Sequence, residues 1–122
     1  MRSPRDPDRT QGEQLKGNTP TLILAVLQAG SLHGYAIARQ IEQRGSGAFA
    51  LGEGSLYPAL RALERDGMVV RKWEIQAVGP ARKTYALTDT GRTEFARRIQ
   101  AFRRFSASME TIFGSMPNPQ PV

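Results

Sequence analysis

Cysteine is absent from the 122-residue sequence, and histidine occurs once, as His33. The missing thiols exclude disulfide bonds and thiolate metal sites, and one imidazole does not complete a zinc site, so we predict neither metal nor cofactor. Catalytic groups are scarce too. Ser55 has no base at a recognisable spacing, and the Gly-rich stretches do not match a phosphate-binding loop. The sequence therefore predicts that the protein is not an enzyme.

Long apolar runs are also absent. The longest run, Leu22 to Leu27, is far too short to cross a bilayer, and residues 2–14 lack the apolar centre of a signal peptide. The lack of cysteine fits a reducing compartment. We therefore expect a cytoplasmic protein that has no membrane attachment.

Basic residues outnumber acidic ones. Seventeen Lys and Arg stand against eleven Asp and Glu, which gives a formal net charge of +6. This balance favours an anionic partner, of which nucleic acid is the most common, although an acidic protein or an anionic membrane would satisfy the same charge. Charge alone leaves these partners open.

Both ends of the chain are poor in residues that can join a core. Residues 1–17 mix Arg, Asp and Pro, and residues 114–122 are rich in Pro and polar side chains. Such segments bury too little apolar surface to offset their ordering entropy, so we expect a flexible arm at 1–17 and a disordered tail at 114–122. Arg2, Arg5 and Arg9 of the arm either touch DNA or are simply solvated.

Two short helices are predicted after the arm. Asn18 or Thr19 can cap a helix that has Pro20 in its first turn, and this helix is expected to span Pro20 to Ala29. It has no polar face over two turns, so it belongs at the centre of the core or between two subunits. The stretch 36–45 carries a narrow apolar stripe, ends in a glycine and is expected to form the second helix.

The stretch from Gly52 to Gly67 is the predicted recognition helix. Three leucines at helical spacing form its buried stripe: Leu56, Leu60 and Leu63. Its other side offers groups that can bind a polyanion: Ser55, Tyr57, Arg61 and Arg65. Pro58 is tolerated only near the first turn, which sets the helix start at about 53–55. Because recognition helices usually meet base edges at this end, Ser55 and Tyr57 are the candidate base contacts.

The chain after this helix alternates as β-strands do. The stretch 68–78 is rich in β-branched and aromatic residues, and the stretch 82–88 alternates Tyr85 and Leu87 on one face. A Gly-Pro turn lies between them, so together they predict a hairpin. Arg82 and Lys83 are expected at its tip, where they make it a basic wing. Trp73 is interpreted as a core residue of the hairpin, with a ligand-stacking role as the alternative.

The last predicted helix is the longest element. Thr88 caps it, and neither Gly nor Pro interrupts the chain from Arg92 to Phe113. Apolar residues recur along it at steps of three and four: Phe95, Ile99, Phe102, Phe105, Met109, Ile112 and Phe113. The upstream elements leave little to cover this seam, so a second copy of the helix is the expected partner in a two-fold homodimer.

These elements together predict the fold class. A helix-turn-helix followed directly by a two-stranded basic hairpin is a winged helix, a small α+β fold that here has three helices. The predicted winged-helix domain spans residues 18–88, and the C-terminal dimerisation helix spans residues 89–113.

Three stretches occur in order between Gly17 and Phe105: TPTLILAVLQAGSLHGYAIARQI, EGSLYPALRALERDGMV and GPARKTYALTDTGR. Together they resemble the PadR family of bacterial transcriptional regulators. The combination is specific, although HGY, LYPAL or LERDG would each be weak alone. The single final helix is similar to the short type of the family.

The resemblance implies a homodimeric winged-helix protein that binds a palindromic operator in double-stranded DNA and represses transcription. Matching positions imply that Ser55 and Tyr57 meet the major groove and that Gly54 allows close approach. The wing residues Arg82 and Lys83 would hold the flanking DNA backbone.

Further roles follow from the same resemblance. His33 and Tyr35 of HGY open the second helix and are implied to lie at the DNA, with a capping histidine as the alternative. The final helix is implied to join the first helix in the dimer interface, which assigns Leu22 and Leu24 to it. Some relatives hold a small hydrophobic or aromatic effector in an apolar crevice at that interface.

Several alternatives stay open on the sequence alone. Tyr57 either contacts DNA or packs under the wing, and Arg61 and Arg65 either contact the DNA backbone or form an ordinary solvated face. The aromatic seam is either plain dimer core or an effector pocket. The rival interpretation of the whole chain is a winged-helix module that uses its basic face to bind an acidic protein partner.

Overall fold

Four α-helices and three strands form the part of the chain that the computed structural model describes, namely residues 7–119, with side chains from residue 17 onward. The helices are α1 (Pro7–Val26), which runs into a 3₁₀ turn (Leu27–Ala29), α2 (Gly34–Arg44), α3 (Glu53–Arg65) and α4 (Asp89–Phe113). The strands are β1 (Leu32–His33), β2 (Val69–Glu74) and β3 (Arg82–Leu87).

The sheet has three strands rather than the predicted two. Its order is β1-β3-β2, and both pairings are antiparallel, so β3 lies in the centre. Val69 lies opposite Leu87 and Glu74 opposite Arg82, while the short β1 pairs Leu32 with Tyr85. The two residues of β1 are too few to show an alternating pattern, which is why the sequence did not reveal this strand.

One core cluster joins the helices to the base of the hairpin. Its buried residues come from α1 and its 3₁₀ turn, from α2 and α3, and from the two long strands: Ile23, Leu24, Val26, Leu27, Ile37, Ile41, Leu56, Leu60, Leu63, Val69, Tyr85 and Leu87. The apolar stripe predicted for α3 is therefore confirmed. Burial of such side chains contributes about 25 cal/mol for each Å² removed from water, and this term holds α3 against the scaffold.

Helix α1 begins much earlier than predicted. It starts at Pro7 and continues through Pro20, so residues 7–17 are helical in the structure and the predicted start at Pro20 is wrong. A proline inside a helix removes one backbone hydrogen bond without necessarily ending the helix. Residues 1–6, which include Arg2 and Arg5 of the predicted flexible arm, lie outside the described residues.

Helix α4 is held to the domain at its first half. Thr88 caps it as predicted, because its Oγ1 accepts a hydrogen bond of 3.0 Å from the amide of Gly91. The same hydroxyl donates to the carbonyl of Gly67 at 2.6 Å, which links the start of α4 to the turn after α3. Further along, Arg98 Nη1 donates to Thr21 Oγ1 of α1 at 3.4 Å.

The chain beyond α4 is exposed. Residues 114–119 form a turn and then no regular structure, and residues 120–122 of the predicted disordered tail lie outside the described residues. Within the described part of the chain, no helix is long and apolar enough to cross a membrane.

Candidate nucleic-acid interface

The first turn of α3 projects from the domain into solvent. Helix α3 begins at Glu53, within the predicted range, and both Gly54 and Ser55 are exposed. A Cβ built on Gly54 would meet no atom within 4 Å, so the backbone is open to close approach. The N-terminal end of a helix presents unpaired amides and a partial positive charge, which favour a phosphate or another anion.

Tyr57 is positioned by the start of α2. Its side chain is half-buried and packs against the core cluster. A Cβ built on Gly34 would lie 2.7 Å from Tyr57 Oη, so the ring fits because residue 34 has no side chain. The structure therefore gives Tyr57 a packing role, and its contact with DNA stays a prediction.

The arginines of α3, Arg61 and Arg65, are both exposed. Arg65 Nε is 3.5 Å from the carboxylate of Asp66, and Glu64 pairs with Arg71 of β2 at 3.4 Å rather than with Arg65. Burial is the main cause that raises the pKa of the Tyr85 hydroxyl, while the positive charges of Arg71 and of the exposed Arg61 act in the opposite direction. The net shift is upward, so this phenol stays neutral.

His33 is joined to the wing. It is the N-cap residue of α2, as the capping alternative predicts for its position, but its side chain makes no capping hydrogen bond there. Its Nε2 lies 3.4 Å from Nη1 of Arg82, because β1 pairs with β3 and brings His33 opposite Thr84. Two residues from distant parts of the sequence thus form one polar cluster beside α2.

Tyr35 lies on the exposed side of α2 together with Arg39, a residue that sequence reasoning missed. Arg39 Nη1 donates to Tyr35 Oη at 3.2 Å, and its guanidinium lies 5.8 Å from the ring centroid. The hydrogen bond to Tyr35 is the main cause that raises the pKa of Arg39. The separation of four residues on one helix face could have indicated this pair.

The wing differs from its prediction in two respects. Arg82 and Lys83 begin β3 rather than forming the tip, which is the loop 75–81 with exposed Ile75 and Val78. Trp73 is 64% exposed, so its interpretation as a hairpin core residue is wrong. Lys83 Nζ lies 5.4 Å from the centroid of the Trp73 ring, in the geometry of a cation–π contact.

A groove of about 700 Å³ separates α2 from the start of α3. Its lining mixes aromatic, basic and acidic side chains: Tyr35, Arg39, Glu42, Leu51, Glu53 and Tyr57. Among the residues described, His and acidic side chains form no group of three that could hold a metal ion.

The predicted dimerisation residues fall into three groups, which are exposed, half-buried and fully buried. Phe102 and Phe105 of α4 are 57% and 62% exposed, and Met109 is exposed beside them. Phe95, Ile99 and Leu22 are half-buried, and Phe95 and Leu22 pack against the core. Leu24 is 0% exposed within the monomer, so its predicted contact with a second chain is wrong because it has no free surface.

Comparison with known proteins agrees with this architecture. Residues 23–97 match the Transcriptional regulator PadR-like family. The chain is 31% identical over 72 residues to the Negative transcriptional regulator PadR of Bacillus subtilis, an alignment that covers 59% of this chain and 40% of that protein. The chain thus spans less than half the length of that relative.

Among solved structures, the chain aligns over nearly the whole length of several similar proteins. A PadR family transcription regulator from Clostridium difficile is 30% identical with a TM-score of 0.72, over 80% of this chain and 99% of that one. A PadR-like transcriptional regulator from Bacillus cereus is 25% identical with a TM-score of 0.72, over 83% and 96%. The family consists of transcriptional regulators, which are generally not enzymes. The chain belongs to the PadR-like family of transcriptional regulators, as its motifs predicted, and it has the winged-helix fold of that family.

Proposed function

We propose that the protein binds double-stranded DNA in a sequence-specific manner, as a homodimer on a palindromic operator, and represses transcription from it. The observation that carries this proposal is the exposed first turn of α3, where Gly54 and Ser55 stand clear of the domain. A helix of this kind fits the major groove, where each base pair presents a distinct pattern of donors and acceptors.

Basic residues beside α3 support contacts to the DNA backbone. Arg82 and His33 form one polar cluster at the start of α2, and Tyr35 with Arg39 forms a second on the same helix. Phosphate contacts of this kind fix the register of a protein on DNA, while base contacts supply specificity. The polar cluster of Arg82 and His33 would therefore position α3 rather than read the sequence.

The exposed seam of α4 supports a two-fold homodimer. Its aromatic side chains lie in water in the monomer, and a second copy of the same helix would bury them in a self-complementary interface. Two recognition helices related by such an axis would enter major grooves about 34 Å apart on an inverted repeat. The dimer thus accounts for a palindromic operator.

A gel shift and a nuclease footprint on the region upstream of the protein's own gene test this function. We expect a footprint on an inverted repeat, with affinity that falls as salt rises at a log-log slope of about −0.9 for each phosphate neutralised. Salt-sensitive binding to any DNA without a footprint would contradict sequence recognition and favour the acidic protein partner. Replacing Ser55 by Ala should weaken operator binding more than non-specific binding.

Sedimentation of Phe102→Asp tests the dimer. The new carboxylate would be buried without a partner in the proposed interface, so we expect monomers. Gln100→Asp adds the same charge at an exposed position of the same helix and should remain dimeric. If Phe102→Asp still sediments as a dimer, the dimer interface does not lie at this seam.

We extend the proposal to a small hydrophobic or aromatic effector that binds in the apolar surface between paired α4 helices and releases the operator. The aromatic side chains of the seam support this extension, because such rings stack on flat apolar ligands. A fluorescent aromatic dye that binds the dimer and lowers operator affinity would agree with it. If the dye binds and the operator affinity is unchanged, the seam serves only the dimer interface and the proposed effector role is contradicted.

A further inference from the structure

One side chain joins the end of α3, the proposed recognition helix, to the start of α4, the proposed dimer helix. Thr88 lies between β3 and α4, and its hydroxyl donates to the carbonyl of Gly67 at 2.6 Å. The same oxygen accepts a hydrogen bond of 3.0 Å from the amide of Gly91 in the first turn of α4. The Thr88 hydroxyl is therefore both the cap of α4 and a link to the turn after α3.

The turn that receives this bond is fixed to the end of α3. The amide of Gly67 donates to the carbonyl of Glu64 at 3.1 Å, and the amide of Met68 donates to the carbonyl of Leu63 at 2.9 Å. The amide of Thr88 in turn donates to the carbonyl of Met68 at 3.1 Å. A change in the position of Thr88 is therefore passed to the last turn of α3.

The first turn of α4 also packs directly on this turn. A Cβ built on Gly91 would collide with the carbonyl oxygen of Met68, so the two backbones are in close contact. Further along α4, Arg98 donates to Thr21 of α1, which holds that part of α4 to a different helix. The bonds of Thr88 and the packing at Gly91 together define the angle between α3 and α4, because close-packed groups have little room to shift.

The length of α4 converts a small angle at Thr88 into a large shift at the dimer interface. The exposed part of the seam begins at Phe102, about four helical turns or roughly 20 Å beyond Thr88. A rotation of about 10° at one end of such an arm moves the other end by roughly 3.5 Å, which is close to the spacing of about 3.4 Å between successive base pairs. The distance between two recognition helices in a dimer therefore depends on this angle.

We propose that Thr88 is a positioning residue, whose hydroxyl fixes the angle between α3 and α4 and thereby sets the spacing of operator half-sites that the dimer accepts. This inference rests on the proposed function, because it requires a dimer through α4 and DNA binding through α3. It adds the residue that determines half-site spacing, a property that the base contacts of α3 do not set.

Three substitutions of Thr88 separate the link to α3 from the cap of α4. Thr88→Asp keeps a good cap, because a carboxylate accepts from the amide of Gly91, but it has no proton to donate to Gly67. Thr88→Val has nearly the shape of threonine and adds no charge, but it loses both bonds. Thr88→Ser keeps the hydroxyl and should behave as wild type. Thr93→Val makes the same change at an exposed position of α4 and is the matched control.

The distance between the two recognition helices tests the proposal without DNA. The sequence has no cysteine, so Arg65→Cys places one spin label on each full-length chain, at the exposed end of α3. Pulsed electron resonance then measures the distance between the two labels in the dimer. We expect both Thr88→Asp and Thr88→Val to shift the mean distance by roughly 3 Å or more. The Thr88→Ser and Thr93→Val proteins should keep the wild-type distance.

Two results of this measurement would overturn the proposal. An unchanged distance in Thr88→Asp would mean that the bond to Gly67, the one that this variant loses, does not set the angle. A shift in Thr88→Asp without a shift in Thr88→Val would assign the change to the added charge rather than to the lost hydrogen bond.

Operators of altered spacing test the consequence for DNA. The inverted repeat footprinted upstream of the gene is synthesised with its spacer lengthened or shortened by one and by two base pairs, and gel shifts measure each affinity. We expect Thr88→Asp to bind the natural spacing about tenfold more weakly and to regain affinity at a spacing changed by one base pair. Its affinity for a single half-site should equal that of wild type, because the first turn of α3 is unchanged.

The outcomes distinguish this inference from the function beneath it. If the wild-type protein gives no footprint on an inverted repeat, the proposed function itself fails. If the footprint forms and Thr88→Asp keeps the wild-type preference for spacing, only the role of Thr88 fails. An equal loss of affinity by Thr88→Asp at every spacing and on the single half-site would indicate general damage to the domain and would also overturn the inference.

Discussion

Tyr57 Oη lies so close to Gly34 that a Cβ at residue 34 would stand 2.7 Å from it, with two ring carbons at 3.0 Å and 3.1 Å. Helix α3 is thereby packed against the start of α2. We expect Gly34→Ala to lower the free energy of unfolding by about 2 kcal/mol, because the ring must shift within a packed site. Urea denaturation at a fixed protein concentration measures the loss.

The cause of that loss is tested by a second substitution. Tyr57→Phe removes the oxygen that lies nearest to the added methyl group, so the double variant should recover at least about 0.5 kcal/mol relative to additivity. Gly17→Ala is the control, since a Cβ there meets nothing within 4 Å. Strictly additive effects of the two changes would mean that the Tyr57 hydroxyl does not set the position of α3.

Gly54 offers a way to separate stability from DNA binding. Its exposed position in the first turn of α3 has room for a methyl group, and Ala is a better helix former than Gly by up to about 1 kcal/mol. We therefore expect Gly54→Ala to raise the melting temperature but to weaken operator binding, because the methyl group holds the DNA away. Gly17→Ala should stabilise without changing affinity. If Gly54→Ala binds the operator as tightly as wild type, Gly54 does not belong to the proposed DNA contact surface.

Arg82 should act on DNA through its charge. We expect Arg82→Ala to weaken binding to operator and to unrelated DNA by similar factors and to reduce the log-log salt slope by about 1, as for the loss of one phosphate contact. Gel shifts over a range of salt concentrations measure both quantities. A slope equal to that of wild type would mean that Arg82 serves only its contact with His33.

Much of the fold was predictable because its signals are local. The leucine stripe of α3, the cap at Thr88 and the end of α2 at Gly45 depend on neighbouring residues, and all three agree with the structure. The start of α1 was not predictable from Pro20, because proline favours a first turn without excluding an interior position. The two-residue β1 has no pattern of its own and exists only through its pairing with β3.

Two predictions about the candidate site, for Leu24 and Trp73, were wrong about what surrounds the side chain. The apolar run of α1 predicts that Leu24 is buried. It does not distinguish burial within the same domain from burial against a second chain, and in the structure the domain alone buries Leu24. Trp73 is predicted to be a core residue of the hairpin, but its side chain is exposed. How far that hairpin extends beyond the helices is a property of the packed fold, and it leaves the indole exposed.

Glu94 should make the stability of the protein sensitive to acid. Its carboxylate accepts hydrogen bonds from Arg97 and Arg98 of the next turn, chiefly Arg97, and these lower its pKa from 4.5 to about 2. Because the pKa of Glu94 is lower in the folded than in the unfolded state, its ionised form adds to the free energy of unfolding. This contribution is fully present above about pH 5 and is lost as the pH falls toward 2. For ion pairs near solvent this contribution is about 1 kcal/mol or less.

The measurement compares Glu94→Gln with wild type across that range. We expect the variant to be less stable near neutral pH and the difference to shrink as the pH falls from about 5 to 2, because protonation removes the same charge from wild type. Glu110→Gln removes an exposed carboxylate from the same helix and is the matched control. A difference between Glu94→Gln and wild type that stays constant with pH would exclude titration of Glu94 as its cause.

Gly91 is expected to be the least replaceable glycine of the described chain. It lies buried in the first turn of α4, where an added Cβ would collide with the carbonyl oxygen of Met68 and crowd Leu87. That carbonyl cannot move freely, because it accepts a hydrogen bond of 3.1 Å from the amide of Thr88, the cap of the same helix. The methyl group must therefore displace either the cap or the start of β2.

We expect Gly91→Ala to lower the free energy of unfolding by about 3 kcal/mol, the upper range for overpacking at a rigid site. The loss is measured by urea denaturation at the protein concentration used for Gly17→Ala, which adds the same methyl group where nothing lies within 4 Å. Since α4 carries the seam proposed for the dimer, Gly91→Ala should also lower operator affinity by misplacing that seam relative to α3. Wild-type stability in this variant would show that the turn between α3 and β2 moves aside without cost, and would contradict the predicted overpacking at Gly91.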